Sequence, residues 1–209
     1  MHAGTLVLID GDLASLVGCA MAREQSALTE GPDPSPVLAM GFPLLFDADP
    51  LRHRAIRAQA QAYAIDLSVP PSVDVGAVSE RGERETIELL AACYEAMRRG
   101  CTRVLWPVSA AAGDSLDLDR IAQAADRALL SGRLAGLDAV LHGSPGVTIE
   151  TPLLDLTDRQ LADLAMDMDV PIDTCWWWGG AGEAAHDAQA HQARARWMSS
   201  LAAVGWSGV

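Results

Sequence analysis

The sequence predicts an α/β fold: a mostly parallel sheet flanked by helices. Three observations predict it. Short, continuous apolar runs of strand length recur from the N-terminus, as strands buried on both faces require. Segments with helical periodicity separate them, and that alternation is the pattern of a parallel sheet. The chain has 209 residues, 50% of them hydrophobic and 21% charged, enough to bury a core without disulfides or a structural metal.

Thr5-Leu6-Val7-Leu8-Ile9 reads as the first strand and Asp10-Gly11-Asp12 as the turn after it. A helix follows from Ala14 to Gln25, with Leu16, Val17, Ala20 and Met21 on one face. Residues 29–36, rich in Pro and Asp, read as loop. Val37 to Phe42 is the second strand, and Pro50 opens a helix over 51–64. Residues 65–69 give a third strand. A helix from Glu83 to Arg99 stops at Gly100, with Arg98 and Arg99 near its negative end. Residues 102–108 read as strand, 118–130 as helix, and 137–142 and 147–149 as weaker strands. Arg159 to Met168 is a helix with Thr157 as its N-cap. The Ala-rich stretch 181–195 reads as a helix or a loose tail. The expected organisation is an α/β domain over 1–175 with a Trp-rich, helical extension, 176–209, in the same unit.

The 15 basic residues are all Arg, against 28 acidic ones, for a net charge of −13. Without Lys there is no Schiff-base lysine and no P-loop lysine. So acidic a chain is not expected to bind nucleic acid, since phosphate contacts need a basic face. No apolar run approaches the ~18 residues of a membrane span, and no basic-then-apolar leader opens the sequence. Cys19, Cys93, Cys101 and Cys175 lie apart without CxxC pairing, which fits reduced thiols and a cytoplasmic location.

Five stretches, in order along the chain, carry a resemblance. They are Leu8-Ile9-Asp10-Gly11-Asp12-Leu13-Ala14-Ser15; Arg52-His53 at the start of a helix; Arg84-Glu85-Thr86-Ile87; Thr151 to Leu161 continuing through Asp169-Val170-Pro171 to Thr174-Cys175-Trp176; and a tail with Arg194 and Trp197. In this arrangement the chain resembles the 7-cyano-7-deazaguanine synthases of the PP-loop ATP pyrophosphatase superfamily, as a divergent member with degenerate motifs. The resemblance implies an adenine-nucleotide α-hydrolase-like, Rossmann-like fold. It implies ATP and magnesium as cofactors and ATP-dependent conversion of 7-carboxy-7-deazaguanine to the nitrile. Carried over residue by residue, it places nucleotide binding at Asp10, Gly11, Asp12 and Ser15, and substrate binding at Arg52, His53, Arg84 and Trp176.

The departures bear on that chemistry. A PP-loop holds phosphates with successive backbone N–H groups at a helix N-terminus. Here Gly11 and Ser15 persist, but Asp10 stands at the first serine position, Asp12 at the second glycine, and Ala14 at the aspartate. Carboxylates there repel phosphate unless magnesium lies between them. Asp158 reverses the charge of the family's lysine. Of the four zinc cysteines only Cys175 remains; His186 and His191 follow it at a spacing that is no dependable zinc pattern, so zinc is expected to be lost. Two readings follow: a synthase-like ligase, or a catalytically inactive relative that binds a ligand or a protein.

Trp176-Trp177-Trp178 admits three readings: a stacking platform for a nucleotide or deazapurine, a surface for self-association, or cover for an apolar edge. Successive residues point in different directions. Trp177 and Trp178 are therefore expected to be partly exposed, and Trp176 to lie beside the turn at Asp10 to Ser15.

Overall fold

All six residues of β1, Gly4–Ile9, are buried. Their period-two alternation sends Leu6 and Leu8 to one face of the sheet and Val7 and Ile9 to the other, each into its own apolar cluster. A strand with apolar residues on both faces belongs at the centre of a sheet, and β1 is there. The computed structural model describes residues 4–28, 37–41, 50–68, 81–141, 146–178 and 188–207.

Within those residues the order is β1, α1 (Leu13–Ala27), β2 (Val37–Gly41), α2 (Pro50–Ala62), β3 (Asp66–Ser68), α3 (Arg81–Arg98), β4 (Cys101–Leu105) and a short hairpin, β5 (Ala111–Ala112) and β6 (Ser115–Leu116). Then come α4 (Leu118–Leu141), β7 (Thr148–Glu150), α5 (Asp158–Asp167), a 3-10 turn Ile172–Thr174 and α6 (Ala188–Ala203). The main sheet has five strands in the order β3-β2-β1-β4-β7, all parallel. The chain moves outward from β1 through β2 to β3, then crosses to β4 on the other side. Between β1 and β4 the order reverses, and such sheets bind ligands at the carboxyl ends of the strands beside that reversal.

The helices flank this sheet. Leu89, Ala92, Cys93 and Ala96 of α3 and Ala124, Ala128 and Ala135 of α4 pack with Leu6 and Leu8. Cys19, Ala22, Ile56 and Ala60 from α1 and α2 pack with Val7 and Ile9. A third cluster joins the outer face of α1 (Leu13, Leu16, Val17) to α5, to Trp176 and Trp177, and to Trp197 and Leu201 of α6. Thr157 caps α5 in a full capping box with Gln160.

The α/β expectation holds, with local corrections. Residues 137–141 are helix, not the weak strand expected over 137–142: they continue α4, a 24-residue helix, and His142 lies outside the described residues. Gly132 and Gly136 do not break it, and Gly132 lets the helix approach β7, where an added Cβ would sit 3.3 Å from the Val147 carbonyl oxygen. The strand expected over 102–108 stops at Leu105, because Pro107 has no N–H for the ladder. The strand ends expected at Phe42 and Val69, and residues 181–187, lie outside the described residues. No helix among the described residues is long and apolar enough to cross a membrane.

Candidate functional site

The turn after β1 is closed by its own side chains. Asp12 is the N-cap of α1, with extended backbone, and its Oδ1 accepts from Leu13 N–H at 2.8 Å. Asp10 Oδ1 accepts from Asp12 N–H at 2.9 Å. These N–H groups open α1 and are the donors a helix N-terminus would otherwise offer an anion. Ser15, buried, lies with its hydroxyl 2.9 Å from the Asp12 carbonyl and 2.8 Å from Gln59 Oε1. It faces α2 rather than solvent.

Neighbouring elements clamp the turn. Gly11 has φ +82, and an added Cβ would lie 2.9 Å from Ala55 Cβ. Its carbonyl accepts from Trp176 N–H at 3.0 Å, and Trp177 Nε1–H donates to Asp12 Oδ1 at 2.6 Å. Arg52 donates to the Asp10 carbonyl at 3.3 Å, lies 3.8 Å from Asp10 Oδ2 and stacks 4.1 Å over the Trp176 ring. Burial, and then the Asp10 charge, push the Asp12 carboxyl up to about 6, against hydrogen bonds from Leu13 and Trp177 and the attraction of Arg52.

Above this turn, at the carboxyl ends of β1 and β4, lies a cavity of about 600 Å³. Asp10, Asp12 and Ala14 line one side, and Trp106, Pro107, Val108 and Ser109 the other. Arg52, Arg84, Glu85, Glu88, Arg120, Gln189, Arg196 and Trp197 complete it. Four acids and four arginines share the wall with two indoles, so it matches no single sign of charge. Trp197 is buried, and its Nε1 has no hydrogen-bond partner among the described residues.

Of the residues singled out in the sequence, Asp10, Asp12, Arg52 and Arg84 meet at this cavity. Gly11 and Ser15 are buried. His53 does not line the cavity; its Nε2 accepts from Arg57 at 2.9 Å. Trp176 lies beside the turn, as expected, but is buried beneath Arg52.

The expected exposure of Trp177 is overturned: it is 0% exposed. The irregular backbone after the 3-10 turn lets adjacent indoles enter one cluster, and Asp12 satisfies the Trp177 N–H. Trp178 is half-buried, edge-on to Trp206 with ring centroids 5.3 Å apart. The run therefore covers the apolar edge beside α1 and α6, and a self-association surface over Trp176–Trp178 loses its exposed core.

The candidate metal ligands do not converge. Cys175 is buried with its thiol raised well above the usual range, chiefly by burial; His191 is exposed on α6; His186 lies outside the described residues. Among the described residues no three His, Cys, Asp or Glu side chains group as metal ligands, so the described part of this set does not fit zinc. Magnesium would have little more to hold it: one oxygen of each of Asp10 and Asp12 accepts a backbone N–H, and Asp10 Oδ2 lies 3.8 Å from the Arg52 guanidinium.

Asp158 takes no position facing phosphate. It is fully buried, accepts from Gly113 N–H at 2.9 Å and is held two-pronged by Arg196 of α6. Sequence reasoning missed Arg196, Arg120, Glu88 and Gln59. Arg196 had one legible signal: it adjoins Trp197, which the resemblance had already placed at the tail.

The fold is α/β and Rossmann-like, a parallel five-stranded sheet flanked by helices, with the cavity at its strand-order reversal. No protein-family model and no curated protein matches the sequence. Among solved structures the chain is similar to the U34-tRNA thiolase NcsA from Methanococcus maripaludis, determined with its 4Fe–4S cluster. The TM-score is 0.53 at 14% identity, over 81% of this chain and 57% of that one. The likeness is one of fold, and this chain spans little more than half the length of that protein.

Proposed function

We propose that this chain is a PP-loop-fold binding protein that does not activate ATP. Its switch-point cavity, walled by four acids and four arginines, takes a small polar ligand. One observation carries this reading: the Asp12 and Leu13 N–H groups are occupied by the carboxylates of Asp10 and Asp12. A phosphate would have to displace two internal anions already in place. Ser15 turned toward Gln59 supports the same reading. The net charge of −13 weighs against tRNA as that ligand.

A second reading keeps the synthase-like ligase. It is favoured by the pairing of Asp10 with Asp12, whose raised carboxyl a divalent cation would relieve. One experiment separates the two. Calorimetry with ATP and magnesium, followed by a pyrophosphate assay with ATP, magnesium, ammonia and 7-carboxy-7-deazaguanine, should give neither binding nor release. Micromolar ATP binding with pyrophosphate release would establish the ligase and end the first reading.

A further inference from the structure

The α4 helix is apolar on the wrong side. It turns its small residues inward: Ala124, Ala128, Ser131, Ala135 and Ala139 are buried against the sheet and α3. Its large ones face outward. Leu129, Leu130, Leu134, Leu137 and Val140 are each at least 51% exposed. At about 100° per residue these five form one stripe on the outer surface. Single exposed leucines are ordinary, but a contiguous row marks an interaction surface. A groove of about 340 Å³ runs beside it, bounded by Thr86 of α3 and by Gln123, Leu130 and Leu134 of α4.

We propose that this stripe is the homodimer interface, with α4 packed antiparallel to α4 of a second copy about a twofold axis between Leu129 and Leu130. Two features of the stripe select a second copy. The first is size. Exposed Ala122 lies towards the N-terminal end and Leu137 towards the C-terminal end. An antiparallel partner sets Leu137 of one copy over Ala122 of the other, while Leu129 meets Leu130 beside the groove. The second is charge. Asp126 and Arg133 are exposed two turns apart on the same stripe. The same axis places each Asp126 opposite Arg133 of the second copy, twice over. Parallel pairing sets Asp126 against Asp126. Self-complementarity of this kind is what an isologous interface demands. The 24-residue helix is about 36 Å long, enough for five turns on either side of the seam to take part.

The test is sedimentation velocity on the full chain from about 1 to about 100 µM, the range in which a specific contact of moderate affinity shows. Wild-type protein should dimerise. Leu130→Asp with Leu137→Asp should weaken the dimer by about 100-fold with an unchanged circular dichroism spectrum, as both side chains are exposed. Asp126→Arg alone should weaken it by about tenfold, and adding Arg133→Asp should restore it. The pair of charge exchanges tests the register even if the leucine variant misfolds. A monomer at every concentration overturns the proposal, as does a dimer indifferent to the leucine exchanges, or a double charge exchange that fails to restore it. A monomer that floats with phosphatidylcholine vesicles overturns it in favour of a lipid surface.

Discussion

Asp158 and Arg196 tie the first turn of α5 to the middle of α6 across the cavity wall, the carboxylate gripped by both Nε and Nη2 of one guanidinium. The partners are unequal: Asp158 is fully buried, while Arg196 keeps 38% of its side chain exposed. The two ends of the pair therefore differ in what their loss leaves behind. Arg196→Met strands a buried carboxylate and should destabilise the protein by about 3 kcal/mol. Asp158→Asn keeps an oxygen for Gly113 N–H and frees Arg196 towards solvent, so its loss should be smaller. Urea unfolding of both variants measures the order. A greater loss in Asp158→Asn would contradict the account.

Gly11→Ala should be among the most damaging single-methyl additions. The φ of +82 disfavours any side chain, and the new Cβ would meet Ala55 Cβ at 2.9 Å and the Arg52 carbonyl at 3.2 Å. Strain and overpacking together should cost more than about 2 kcal/mol. Gly100→Ala has positive φ as well but nothing within 4 Å. It should lose distinctly less, and thermal melts of the two isolate the contribution of close packing.

The fold was legible because its signals are local. Four consecutive apolar residues, Leu6 to Ile9, announce a buried strand, and Thr157 announces a helix start. The site was half legible. The turn at Asp10 to Asp12 could be placed because a strand end fixes where it falls, and the arginines at 52 and 84 only through the resemblance; Asp10, Asp12, Arg52 and Arg84 all line the cavity. Arg196 could not: it is held at the cavity by an ion pair with a residue 38 positions away and by the Ala111 carbonyl. Trp177 was misjudged because neighbour-to-neighbour direction rules assume a regular helix or strand, and its backbone is neither.

Two carboxyls should give the stability opposed slopes with pH. Asp12 rises from 3.8 to about 6, chiefly through burial and then through Asp10. The folded chain then holds a proton that the unfolded chain has released. The stability this contributes is complete below about pH 4 and declines as pH rises through about 6. Glu95 goes the other way. Burial opposes its ionisation, but hydrogen bonds from Ser68, Arg98 and Arg99 outweigh it and hold the carboxyl at about 2. Its contribution is complete above about pH 4.5 and is lost as pH falls towards 2. Urea unfolding from pH 3 to 7 should show Asp12→Asn flattening the decline between about 4 and 6, and Glu95→Gln flattening the acid limb. Asp12→Asn steepening that decline would reverse the assignment.

Asp10→Ser with Asp12→Gly should open the closed turn to phosphate. The exchange removes both carboxylates that now accept from Asp12 and Leu13 N–H, and returns those donors to solvent at the start of α1. It also replaces two negative charges with a hydroxyl and a flexible backbone, so the dipole of α1 would meet phosphate without repulsion. The change is not free. The N-cap side chain is lost, at roughly a few tenths of a kcal/mol because glycine replaces it. The Trp177 N–H loses its acceptor, at about 1–3 kcal/mol more. Binding is therefore to be measured well below the variant's own melting temperature. Calorimetry with inorganic pyrophosphate and with ATP and magnesium should show binding in the variant and none in the wild type. If wild type and variant both bind, the internal carboxylates do not close the turn. If neither binds, closure lies in the packing of Ala55, Trp176 and Gln59 around it, and the two aspartates only cap the helix.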